Sequence, residues 1–216
     1  MTSSPPVPLQ RRARRFLCTF LPFLVRRQGG AGTRAHWEQH PTTTAFEGID
    51  PASQVQMDEI MALVPDRNAA ILDMGCNVGR HLDYLYGQGY RNLRGVDWSG
   101  AALSDMAQRY PEMHAHSTLT NASFEDFLGG NPEPVDLVYT RGATFELVYP
   151  GFPLVKRVCA IARRYVVMVI TEAGHAYPRF WEYEYAREGF ELVHLRRPAS
   201  EQAQEHRVSL MTFRRL

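Results

Sequence analysis

Near residue 52 the pattern of hydrophobic and polar positions becomes regular, and from there it alternates between two periods. Apolar residues recur at helical spacing over Ser53–Leu63 and stop at Pro65-Asp66. Ala69–Met74 (AAILDM) is a short apolar run closed by Gly75, as suits a strand buried on both faces. Arg80–Gly89 reads as a helix ended by glycine. Leu93–Val96 gives a second strand ending at Asp97, and Ser99 is placed to cap a helix that runs to about Tyr110.

The second half continues the rhythm. A weak third strand is expected near Met113–Ser117, and Ser123 caps a short helix, FEDFL. Val135–Tyr139 (VDLVY) is a fourth strand, Pro153–Arg163 a helix, and Tyr165–Ile170 a β-branched fifth strand. Pro178–Glu188 is a helix stopped by Gly189. Phe190–Leu195 and Val208–Phe213 are two last strands, separated only by the polar loop PASEQAQEH. Strands alternating with helices demand a parallel sheet with crossovers on both faces. The last two strands have no helix between them, so they can pair only as an antiparallel hairpin at the sheet edge. The expected fold class is α/β, a three-layer αβα sandwich. Trp181, Tyr183 and Tyr185 (FWEYEYAREGF) are expected to pack mostly on the sheet.

A length of 216 residues holds one domain with a full core, and 44% apolar with 22% charged residues is ordinary for a globular chain. The division expected is a basic N-terminal extension, partly disordered, over residues 1–50, and the main domain over 51–216. A net charge of +1 gives no bulk sign of a nucleic-acid binder. Charge is uneven, however: residues 1–35 hold Arg11, Arg12, Arg14, Arg15, Arg26, Arg27 and Arg34 and no acid. The apolar run Phe16–Val25 between these arginines is about half the length of a membrane span. It suits a surface-docked helix, with peripheral membrane contact through residues 11–27 as a second reading. Cys18, Cys76 and Cys159 are odd in number and contain no C-x-x-C, which argues against a disulfide framework and for a reducing, cytoplasmic setting. His36 and His40 (AHWEQH) have the spacing of metal ligands on a helix, but no third ligand is apparent, so no metal is expected.

The chemistry concentrates in Ile71-Leu72-Asp73-Met74-Gly75-Cys76-Asn77-Val78-Gly79-Arg80. Gly75 lets the backbone turn at the strand's carboxyl end, and Gly79 lets the helix start approach a ligand closely. Ligands of open α/β sheets bind in that crevice. Asp97 ends the second strand, where its carboxylate can accept hydrogen bonds from both hydroxyls of a ribose. The glycine spacing is G-x-x-x-G; neither G-x-G-x-x-G nor G-K-[ST] occurs, so pyrophosphate and P-loop ligands do not fit. Asp73, two residues before the first glycine, suits a cationic amino group. Cys76 is expected to pack, since nothing nearby activates it.

On these residues the sequence resembles the class I methyltransferases dependent on S-adenosylmethionine (SAM). ILDMGCNVG looks like their first motif, GVDWS their ribose-binding motif, and VDLVYTRGATFELVYP their fourth strand with the loop facing the transferred methyl. The resemblance spans about residues 55–215 and implies SAM as cofactor and a Rossmann-like, seven-stranded, mostly parallel sheet with a terminal antiparallel pair. It implies that Asp73, Gly75 and Gly79 hold the methionine part, with Cys76 and Asn77 in the same turn. Asp97 and Trp98 would meet ribose and adenine, Phe124 or Glu125 would flank the adenine, and Thr140 would complete the set. GCNVG with TRGATFELVYP is also similar to a methylase group of nonulosonic sugar pathways, which tends to carry His where Glu146 stands.

Methyl transfer from a sulfonium needs positioning and at most one base. Glu146, after the fourth strand, and His175, in TEAGHAY after the fifth, both leave the carboxyl edge and are the catalytic candidates. Tyr139, Arg141, Tyr177 and Arg179 are candidate acceptor-lining residues. No N-P-P-Y-like tetrapeptide and no Pro-Cys pair occurs, which favours transfer to O or N of a small molecule, such as a sugar or secondary metabolite, over a nucleic acid. Two alternatives stay open: an RNA or protein methyltransferase docking through the basic arm, and a non-catalytic SAM-fold binding protein.

Overall fold

Strand alternation sorts the apolar side chains into two layers. The computed structural model describes residues 9–27, 49–142, 145–171, 176–199 and 208–216. Within them, β1 (Ile71–Met74), β2 (Leu93–Asp97), β3 (Thr118–Asn121), β4 (Val135–Arg141), β5 (Ala162–Thr171), β6 (Phe190–Arg196) and β7 (Val208–Arg215) form one sheet in the order β3-β2-β1-β4-β5-β7-β6. The first five pair in parallel, and β7 runs antiparallel to both β5 and β6. The helices are α1 (Leu9–Phe20), α2 (Pro51–Leu63), α3 (Arg80–Gly87), α4 (Gly100–Arg109), α5 (Pro111–Ala115), α6 (Phe124–Gly129), α7 (Leu154–Ile161) and α8 (Trp181–Arg187).

Leu72, Met74, Val138, Val166 and Met168 point to one face, where they meet Leu128 of α6, Val155 and Val158 of α7, and Trp181 and Tyr185 of α8. Their neighbours Ile71, Leu137, Val167 and Val169 point to the other, against Met57 and Ile60 of α2, Leu82 and Leu85 of α3 and Met106 of α4. A strand with helices on both sides is apolar at odd and even positions alike, which is why Tyr165–Ile170 of β5 reads as an apolar run and β1 is broken only by Asp73. The result is the expected three-layer sandwich. Of the three aromatics on α8, Trp181 and Tyr185 are buried while Tyr183 is exposed.

One element differs from expectation. Residues 111–115 form α5, and the third strand starts three residues after it, at Thr118. Pro111 occupies the first turn and Glu112 sits beside it, both favourable at a helix start. β3 itself (TLTN) is polar and half-exposed, so it carries no apolar period.

α1 lies on the segment between β5 and α8. The Arg14 Nε donates to the Ala176 carbonyl (2.8 Å), and the Arg15 Nε to the Arg179 carbonyl (2.7 Å). The Thr19 hydroxyl accepts the Phe180 N–H at 2.9 Å. Cys18 and Leu17 pack with Tyr177, Tyr149 and Val25 in a small separate core. Among the described residues no helix is long and apolar enough to cross a membrane.

Candidate functional site

β1 ends in a turn that only particular residues can make. Gly75, Asn77 and Gly79 have φ of 90°, 49° and 82°, the left-handed region that glycine and asparagine tolerate best. The Gly75 and Cys76 amides both donate to the Val96 carbonyl (2.9 and 3.2 Å), which ties the turn to β2. The Gly79 amide closes the turn on the Cys76 carbonyl at 2.9 Å, and α3 begins at Arg80. At Gly79 the close neighbour is Met106: an added Cβ would stand 2.6 Å from its Cγ. The Cys76 Sγ lies over Gly95, and burial pushes its thiol pKa up, so Cys76 packs as expected.

Asp97, at the end of β2, faces this turn. Its Oδ2 accepts the Asn77 N–H (2.9 Å) and its Oδ1 the Ser99 N–H (2.9 Å). Burial raises its pKa, and the Ser99, Asn77 and Trp98 amides oppose the rise. A carboxylate has about four lone-pair sites, so acceptor capacity remains for a diol. Ser99 also caps α4, its hydroxyl accepting the Ala102 N–H at 3.2 Å.

Asp73 stands one strand away, in register with Gly95 of β2 and Tyr139 of β4. It is buried, and its Oδ2 has no hydrogen-bond partner. The Tyr139 hydroxyl is near enough to favour the charged form, yet it too lacks a partner in hydrogen-bond geometry. Burial drives the Asp73 pKa upward; Tyr139 opposes this, Asp97 adds to it, Arg80 opposes it, and the balance lies at about 7. Two acids of raised pKa at one turn form a site that a cationic group would relieve.

Beyond them lies a charged group that reasoning from sequence missed. Asp50 bridges Arg80 (3.2 Å) and Arg141 (3.0 Å) and caps α2 through the Ser53 amide (2.9 Å) and hydroxyl (2.6 Å). Burial works against its charge, but Ser53, Arg141 and Arg80 outweigh it and bring the pKa to about 2. The signal was Asp50-Pro51, an N-cap followed by a first-turn proline; nothing local foretold its arginine partners. The Arg141 Nη1 is buried and without a hydrogen-bond partner. His81, hydrogen-bonded to the Ser53 hydroxyl at 3.0 Å, is held neutral, its pKa pushed down to about 3 by burial and by Arg80 and Arg141.

The other named residues fall on the same edge or close to it. Trp98 is half-buried just past β2. Phe124 and Glu125 open α6, where the Ser123 hydroxyl accepts the Asp126 N–H (3.0 Å) and Phe124 meets the Phe145 ring edge-on. Thr140 is buried, and its hydroxyl donates to the Met74 carbonyl at 2.8 Å, so it fastens β4 to the end of β1. Glu146 sits in a short 3-10 turn after β4; its Oε1 accepts the Thr171 N–H (2.8 Å) and its buried Oε2 has no hydrogen-bond partner. Burial pushes its pKa up to about 7 against the opposing pull of its own and the Thr171 amides and of Arg179. Arg179, also buried, donates to the Val148 carbonyl at 2.8 Å. His175, His36, Trp37 and His40 lie outside the described residues.

Comparison with known proteins agrees with this geometry. Residues 71–165, from β1 into β5, match the family model described as a methyltransferase domain. No curated protein matches. Among solved structures, the magnesium protoporphyrin IX methyltransferase of Synechocystis with bound SAM is similar at 13% identity and TM-score 0.61, covering 99% of this chain and 100% of that one. The CcbJ methyltransferase of Streptomyces caelestis is similar at 12% identity and TM-score 0.65, covering 83% and 96%. The N-methyltransferase NodS of Bradyrhizobium japonicum reaches 16% identity and TM-score 0.60, covering 77% and 97%. At such identities the likeness is one of fold, while the matched segment is the one that builds the turn, Asp73, Asp97 and β4. The chain has the Rossmann-like α/β fold of these SAM-dependent methyltransferases, and the segment that builds its turn and first strands is similar to their methyltransferase domain.

Proposed function

We propose that the chain transfers a methyl group from SAM to an oxygen or nitrogen of a small-molecule acceptor, of the sugar or secondary-metabolite kind. The observation that carries the acceptor class is α1, which docks over Tyr149 and Tyr177 beside the ends of β4 and β5. That cover suits an enclosed acceptor better than a folded RNA or protein. Arg14 and Arg15 are engaged with carbonyls of their own chain, so the basic segment is a poorer docking arm than its composition suggests. The Synechocystis enzyme named above acts, by its description, on magnesium protoporphyrin IX, a small molecule, which supports the same reading.

SAM supplies a sulfonium-activated methyl and leaves as S-adenosylhomocysteine. Asp73 takes the cationic amino group of the methionine part, and the Arg141 Nη1 offers a donor for its carboxylate. Asp97 accepts from the ribose hydroxyls while the Asn77 and Ser99 amides hold it still. Gly75, Cys76, Asn77 and Gly79 shape the turn, Trp98 with Phe124 or Glu125 borders the adenine, and Thr140 holds the floor together. Glu146, with a pKa of about 7, is the base or acceptor anchor at neutral pH, and His175 is the alternative base. We read residues 51–216 as the methyltransferase domain and residues 1–50 as its extension. Three free, buried cysteines favour a cytoplasmic setting.

The test uses the purified enzyme with isotope-labelled SAM and a fractionated cell extract. Label is expected in the ultrafiltrate of small molecules and should survive nuclease and protease treatment of the extract. Label found only in the retained fraction, and lost on nuclease or protease treatment, would overturn the acceptor class.

A further inference from the structure

α1 is amphipathic, but its apolar stripe faces away from the body. Leu9, Ala13, Phe16 and Phe20 recur at helical spacing, and Phe23 and Leu24 continue the patch beyond the helix end. Leu9 is 79% exposed, Phe16 50%, Phe23 74% and Leu24 61%. The inward side is fixed by polar bonds: Arg14 and Arg15 on the Ala176 and Arg179 carbonyls, and Thr19 on the Phe180 amide. Phe20 meets Tyr183 at 4.9 Å between ring centres, which extends the exposed aromatic surface onto α8. A contiguous patch of this kind on a soluble chain marks a contact surface.

Charge identifies the partner. Arg11 and Arg12 at one end and Arg26 and Arg27 at the other are exposed, and residues 9–27 contain no acid. The acids of α8 nearest the helix are answered within the chain, Glu182 by Arg15 and Glu184 by Arg179. A second copy meeting this patch about a two-fold axis would bring like charges together, which disfavours self-association. A single-stranded nucleic acid would call for cations interleaved with the rings, whereas here the arginines flank an aliphatic and aromatic strip. We propose that α1 and residues 21–27 dock the enzyme on an anionic lipid surface. The helix lies in the interface plane, with Phe16, Phe23 and Leu24 among the acyl chains and the four arginines at headgroup phosphates. Residues 176–180 then sit directly beneath the lipid-facing helix.

The experiment is co-sedimentation of the full chain with vesicles of phosphatidylcholine alone or mixed with phosphatidylglycerol, in low and high salt. The wild type is expected to bind the mixed vesicles, to release in high salt, and to leave phosphatidylcholine alone. Phe23→Asp with Leu24→Asp, and separately Arg11→Glu with Arg12→Glu, should each weaken binding by about tenfold or more. Unchanged thermal unfolding and S-adenosylhomocysteine binding would show that both variants are folded. No binding to mixed vesicles, or equal binding by wild type and folded variants, overturns the proposal. So does a wild-type dimer in sedimentation equilibrium that the Phe23→Asp, Leu24→Asp variant converts to monomer, or retention on single-stranded RNA that the same variants abolish.

Discussion

One carboxylate oxygen of Asp97 holds the backbone amide of Asn77 at 2.9 Å. The residue proposed to meet the ribose therefore also fixes the turn proposed to meet the methionine part. Asp97→Ala should weaken S-adenosylhomocysteine binding roughly 10- to 150-fold, the equivalent of about 1.5–3 kcal/mol for hydrogen bonds to a charged group. Calorimetry checks this. Asp97→Asn, which keeps one acceptor, should lose less.

Asp73 makes the unliganded protein sensitive to pH. Its folded pKa of about 7 lies above the unfolded value of 3.8, so between those limits the folded state binds more protons. Its contribution to stability is present below pH 3.8 and lost as pH rises through about 7. Asp73→Asn should therefore raise the midpoint of thermal unfolding of the free protein at pH 8 while weakening SAM binding. A second sign is proton release on SAM binding near pH 6.5, as the ammonium drives Asp73 into its charged form. It is read by calorimetry in buffers of different ionisation enthalpy. A pH-independent midpoint in both proteins would contradict this account.

Glu146 predicts a limb in the rate profile. If it accepts a proton from the acceptor, kcat should rise with pH through about 7. Glu146→Gln should flatten that limb and lower kcat about 10²–10⁴-fold. A variant that loses rate but keeps the limb would place Glu146 in a positioning role and leave His175 as the base.

Gly79 is constrained twice, by its φ of 82° and by Met106 at 2.6 Å from the place of a Cβ. Gly79→Ala should destabilise the protein by about 1–2 kcal/mol, measured by urea unfolding, since a left-handed conformation carries that order of cost for a residue with a side chain.

Much of the fold was legible because burial on both faces of a strand leaves a mark that needs no partner to be seen: Tyr165–Ile170 is apolar throughout, and Ile71–Met74 is apolar but for Asp73. β3 was misplaced because Thr118–Asn121 is short and polar, and because the helix of Pro111–Ala115 occupies the stretch that sequence assigned to it. The turn and Asp97 were legible from glycine spacing and from the acid at a strand end. Asp50 was not, because its pairing with Arg80 and Arg141 joins residues 30 and 91 positions apart and leaves no local pattern. The helix of α1 could be read, but its orientation could not. Arg14 and Arg15, bonded to carbonyls, face inward while Arg11 and Arg12 stay exposed, a division that hydropathy alone does not foretell.

β7 follows β6 along the chain yet lies inside it in the sheet, bonded to β5 on one side and β6 on the other. During synthesis, β6 therefore leaves the ribosome with no neighbour to join, and the outer edge of β5 stays open until residue 215 has emerged. A nascent chain halted anywhere between residues 196 and 208 would leave the outer edge of β5 and both edges of β6 bare at once, a state open to wrong pairing.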